Sequence, residues 1–161
     1  MSKFERRGPG IKIIEDALKL ANMKTSAGWF AGAKYEDGTP VAYVATIQEY
    51  GSPKEGIPPR SFMRTTIADK KSDWAKLAKS GAKAIVAGNA SPRMVMEGLG
   101  LAASGDIRKK ISEISSPPLK PGTIANKKRK LAKGKKVGSL TKPLVETSLM
   151  LSSLTSTVES K

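Results

Sequence analysis

The chain has 161 residues, 39% of them hydrophobic, which is enough to bury one core and short for two, so a single domain over residues 1–161 is expected. It contains neither Cys nor His, which excludes disulfides, thiolate or imidazole metal sites, Cys nucleophiles and every His-based mechanism. A formal net charge of +15 draws the chain to polyanions, either nucleic acid or acidic protein surfaces.

The polar stretch from Met1 to Gly10 carries Lys3, Arg6 and Arg7 with no apolar run behind it, so no secretory signal is expected. No apolar run approaches the roughly 20 residues of a membrane helix, and synthesis in the cytoplasm without membrane attachment is expected. Residues 11–23 read as an amphipathic helix. Ile11, Ile14, Leu18 and Ala21 form its inward stripe, with Lys12, Glu15, Asp16 and Lys19 outward. Residues 26–35 read as a strand with Trp29, Ala31, Ala33 and Tyr35 on one face, although Gly28 and Gly32 weaken the pattern. Asp37-Gly38 makes a turn, and Thr39-Pro40 starts a short helix by a capping hydroxyl followed by Pro. That helix runs to Tyr50, and Gly51 ends it in a left-handed conformation.

Residues 51–60 hold three prolines and two glycines and read as an exposed loop. Ser61 then caps a long helix to about Ala87, with Met63, Ile67, Trp74, Leu77, Ala78, Gly81 and Ile85 as its stripe. Gly88-Asn89 stops it, and Ser91-Pro92 starts a second long helix. Val95, Leu99, Ala102, Ala103, Ile107, Ile111 and Ile114 form that stripe. Gly98, Gly100 and Gly105 within it are read either as points of close approach or as a break. Ser116-Pro117-Pro118 ends the helix, and Pro121 begins another through about Leu131, with Ile124 and Leu131 inward. Residues 132–142 read as a basic, mobile loop. Thr147 would cap one turn holding Leu149 and Met150, and Leu154, Ser156 and Val158 alternate as a closing strand. The expected fold class is α+β: a small antiparallel sheet flanked by several helices, two of them long. The simplest topology pairs the strand near 26–35 with the C-terminal one.

Three segments carry a resemblance. The first is Val44 to Gly51 followed by Ile57-Pro58-Pro59-Arg60-Ser61-Phe62-Met63-Arg64. The second is Pro117 to Ile124 followed by a basic run. The third is Lys142-Pro143-Leu144-Val145-Glu146-Thr147-Ser148-Leu149, followed by Ser152-Ser153-Leu154. In this order they resemble the neck and tail-completion proteins of long-tailed bacteriophages, the virion morphogenesis and minor tail family, over residues 40–158. Ser148 stands where that family usually has Gly, which puts the local turn in question. The resemblance implies a structural role in the virion rather than a reaction. It implies a homo-oligomeric ring, six-fold like the tail, at the head–tail junction, beside head-closure, tail-terminator or tail-tube proteins.

Read from the residues, the loop from Gly51 to Arg60 and its flanks offer Glu49, Tyr50, Pro58, Pro59, Arg60 and Phe62 as a candidate subunit interface. A proline-stiffened loop loses little entropy on docking, yet it also serves as an ordinary surface connection. Glu49 and Arg60 would pair between subunits, pin the loop base within one chain, or not pair at all. Helical spacing to Ile67 favours a core position for Met63; Phe62 is either a core or an interface anchor. From Ile114 to Val145 there is no acidic residue, and nine cations fall there. Lys127, Lys128, Arg129, Lys130, Lys133, Lys135 and Lys136 are candidates for contact with DNA phosphates or with an acidic partner protein, or form a solvated loop. No aromatic residue lies within the run, so base stacking is not expected. With acidic residues numbering 14 and none paired in a catalytic motif, no enzyme, cofactor or metal is expected. The alternative to the ring is a basic module binding nucleic acid without sequence specificity.

Overall fold

The computed structural model describes residues 9–135, 137, 139–141, 143–144 and 149–160. Among them are six α-helices and a two-stranded antiparallel sheet, an α+β fold as the sequence implies. In chain order the elements are α1 (Pro9–Ala21), β1 (Met23–Gly28), α2 (Val41–Tyr50), α3 (Met63–Val86), α4 (Pro92–Glu113), α5 (Pro121–Ala132), α6 (Leu149–Ser152) and β2 (Thr155–Ser160). The chain divides into two compact units.

Of the described residues, the first unit comprises 9–27, 71–103 and 156–160. It holds α1, most of the sheet, the later part of α3 and the first part of α4. β1 pairs with β2 as expected, but it begins three residues early and stops at Gly28. The strand stops there because residues 30–40 fold back on themselves. Ala33 N–H donates to the Phe30 carbonyl, Tyr35 N–H to that of Thr39, and Lys34 bridges Pro40. Trp29, Ala31, Ala33 and Tyr35 are therefore not strand residues. The glycine question in α4 is settled by proximity rather than by a break, since the helix runs through all three. A Cβ on Gly100 would lie 2.6 Å from Thr25 Oγ1 and 2.8 Å from Ser156 Cβ, so the missing side chain lets α4 lie against the sheet. Gly98 and Gly105 have open space around them. The expected inward stripe of α1 faces outward: Ile14 is 62% and Leu18 60% exposed, and Ile11 and Ala21 are exposed too.

The second unit comprises the described residues within 28–70 and 104–155. Val41, Ala45, Phe62, Ile107, Ile111, Leu144, Met150 and Leu154 form its buried core. The Trp29 ring meets Phe62 edge-on at 5.7 Å, while its indole N–H donates to the Met150 carbonyl at 2.8 Å. From α4, Arg108 donates to the carbonyls of Leu151 and Leu154 and satisfies acceptors at the end of α6. Thr39 supplies no hydroxyl cap. Pro40 itself is the N-cap of α2, and the Thr39 backbone N–H donates to the Asp37 carboxylate across the turn. Gly51 ends α2 with the expected positive φ, 78°, but its ψ of 170° is extended, so it is not in the left-handed helical conformation the sequence suggested. Residues 51–60 are not simply exposed loop. Pro53–Glu55 form one 3-10 turn, Ser52 and Ile57 exchange backbone hydrogen bonds, and Arg60 is buried. In α5 Ile124 is half-buried, but Leu131 is exposed and Lys127 points inward instead. The cap expected at Thr147 and parts of the 132–142 loop lie outside the described residues.

Candidate functional site

The start of α3 is built around a carboxylate from another helix. An α-helix begins with N–H groups that have no partner within it, and an anion placed there satisfies them and meets the positive end of the helix dipole. Glu49, the next-to-last residue of α2, fills this role with 4% exposure. Its two oxygens accept the backbone N–H of Phe62 at 2.7 Å, of Met63 at 2.8 Å and of Arg64 at 3.2 Å. They also accept the Ser61 hydroxyl at 2.7 Å and Arg64 Nε at 2.9 Å. Ser61 is thus a donor to the capping group and not the cap itself. Burial pushes the Glu49 carboxyl up, and the hydrogen bonds from Ser61, Met63 and Arg64 more than offset it, so its pKa lies below the ordinary value.

Glu49 and Arg60 do not pair. Arg60 turns the other way: its Nε donates to the Pro117 carbonyl at 2.9 Å, Nη2 to that of Pro118 at 3.3 Å, and Nη1 to Gln48 Oε1 at 3.1 Å. Burial pulls its pKa down, but a guanidinium stays protonated at any ordinary pH. The arginine that does meet Glu49 is Arg64, whose guanidinium also lies 4.6 Å from the centre of the exposed Tyr50 ring. Of the six candidate interface residues, Glu49, Arg60 and Phe62 are buried within the chain. Tyr50 and Pro59 are exposed, and Pro58 is half-buried. Glu49 and Arg60 therefore brace the two ends of the 51–60 loop within the chain, and Phe62 is a core residue. Met63 is half-buried and Ile67 exposed, so the core anchor at this helix start is Phe62.

The basic candidates also divide. Lys127 is 1% exposed, and its ammonium donates to the Ser139 carbonyl at 3.0 Å. Lys128, Arg129, Lys130, Lys133 and Lys135 are exposed on and just after α5. Lys136 lies outside the described residues. Lys130 reaches a cavity of about 260 Å³ whose lining includes Asp37, Gln48, Leu144 and Met150. Asp37 is the one carboxylate there among the described residues, held below its ordinary pKa chiefly by the Thr39 N–H. Sequence reasoning missed Lys127, Arg64 and Arg108 as structural groups. The helical period put Lys127 between Ile124 and Leu131 on the inward side, but its charge argued for solvent.

No group of three or more His, Cys, Asp or Glu residues able to hold a metal ion occurs among the described residues. No helix among them is long and apolar enough to cross a membrane. Neither protein-family models, nor curated proteins, nor solved structures give a match to this chain.

Proposed function

We propose that the protein is a non-enzymatic structural subunit of a tailed-phage head–tail junction. It would be made in the host cytoplasm and assemble as a homo-oligomeric ring, six-fold as the resemblance implies, in the neck or at the tail end of the virion. Head-closure, tail-terminator or tail-tube proteins would be its neighbours.

The observation that carries this reading is that the three resembling segments belong to one unit and, where described, hold one another. Arg60 of the first bonds to the carbonyls of Pro117 and Pro118 of the second. In addition, α2 of the first packs on α6 of the third. Their order along the chain is thus matched by mutual contact. Further support comes from α1, where Ile11, Ile14 and Leu18 form an exposed apolar stripe at helical spacing. A contiguous apolar face on a protein this polar is the mark of a surface that is covered on assembly.

The test is genetic and structural together. A phage lacking the gene should make heads and tails that do not join, or unstable tails. The wild-type gene should restore infectivity in trans, and an Ile14→Lys, Leu18→Lys double variant should not. Normal infectious particles without this protein would overturn the reading.

A further inference from the structure

We infer that the outward face of α5 and the turn that follows it bind the phosphate backbone of a nucleic-acid duplex, through Lys128 and Arg129 on the helix and Lys133 and Lys135 just after it. Several cations elsewhere in the chain pair with acids: Lys76 with Asp73 on α3, and Arg93 with Glu97 and Lys109 with Glu113 on α4. Along the 31 residues from Ile114 to Leu144 there is no acid at all, so the positive potential over α5 is not cancelled by its own neighbours in sequence.

The helix is also anchored. Pro121 stands at its first position, and Lys127 turns inward to the Ser139 carbonyl. Lys127 is therefore spent on the fold, while the four named cations are presented on the surface of a formed helix and the turn that ends it. Lys128, Arg129 and the C-cap Lys133 fan over about 140° of the helix, with Gly122, Ala125 and Ala132 between them, and Lys135 follows Gly134 just past the helix end. Such a surface suits a ribbon of phosphates, which requires charge and close approach without shape. It suits an acidic protein less well. Stable protein interfaces are centred on buried apolar or aromatic anchors, and the exposed part of α5 offers only Leu131. Recognition would be independent of sequence, because phosphate contacts carry no base information, and no aromatic side chain is present in the run to stack on bases. This inference does not depend on ring assembly, because it concerns the isolated chain.

Fluorescence anisotropy of a labelled mixed-sequence DNA duplex of about 30 base pairs, titrated between about 50 and 200 mM salt, tests it. Changing Lys128, Arg129, Lys133 and Lys135 to Gln should flatten the slope of log K against log salt by about 3 to 4, and weaken binding at the low-salt end at least about tenfold. The same four positions changed to Ala should behave alike. A charge-matched control changing Lys71, Lys76, Lys79 and Lys83 of α3 to Gln should keep most of the wild-type slope. Equal losses in the α5 and α3 variants would overturn the assignment. So would the absence of duplex binding by the wild type at about 50 mM salt. Displacement of the duplex by polyglutamate at equal charge concentration would overturn it in favour of an acidic protein partner.

Discussion

Glu49 sits where one side chain decides the geometry of a whole segment. Its carboxylate takes three helix-terminal N–H groups, a hydroxyl and a guanidinium at once. Replacing it with Gln keeps the shape but removes the charge and turns one acceptor into a donor facing N–H groups. The expected loss is about 2 kcal/mol, from the cost of losing a helix cap and hydrogen bonds to a charged group, and urea unfolding measures it. The pH dependence follows from the same contacts. Folding holds this carboxyl below the ordinary glutamate value of 4.5. Its contribution is therefore complete above that value and is lost as pH falls through the lower folded value. Wild-type stability should drop in acid more steeply than that of Glu49→Gln; parallel pH profiles would contradict the cap. Gly51 is a second residue with no substitute. Its φ is 78°, and a Cβ there would lie 2.8 Å from the Ile57 carbonyl oxygen and 2.9 Å from Pro59 N. Gly51→Ala should cost at least about 1 kcal/mol, read as a lowered unfolding midpoint.

Among the elements, those with a strong period and clear punctuation were legible in the sequence. The two long helices, the Ser91-Pro92 start, where Met94 N–H donates to Ser91 Oγ, and the Gly88 stop, with φ 77°, all follow from local chemistry. So does α5, because Pro121 can only begin a helix. What was not legible depends on partners far along the chain. Nothing local says that Glu49 rather than Ser61 caps α3, or that Arg60 reaches Pro117 and Pro118 instead of Glu49. The strand at 26–35 was misplaced because an alternating pattern continues past Gly28, while Trp29 is drawn off the strand line to the Met150 carbonyl. Lys127 shows the same limit: its period placed it inward, and its charge hid that. Lys127→Ala should free the Ser139 carbonyl and speed hydrogen exchange in residues 139–141, with α3 and α4 protection unchanged. Unaltered exchange there would mean that the ammonium does not anchor the segment.

For the whole molecule, the distribution of surface matters more than its amount. The proposed assembly requires that the apolar stripe of α1 and the exposed Tyr50 and Tyr43 of α2 be covered by neighbours. The cations of α5 should stay available to a polyanion. The absence of Cys and His leaves little for catalysis, and the arginines and the buried carboxylate described here are used in holding backbone. The proposed role within a virion rests on the resemblance of three short segments and on their contacts within one unit. A density map of the neck in intact particles tests it most directly. The expected result is a closed ring of copies of this chain, with Ile14 and Leu18 of each buried against an adjoining subunit. A chain present as an isolated copy, or a ring with that stripe still facing solvent, would contradict it.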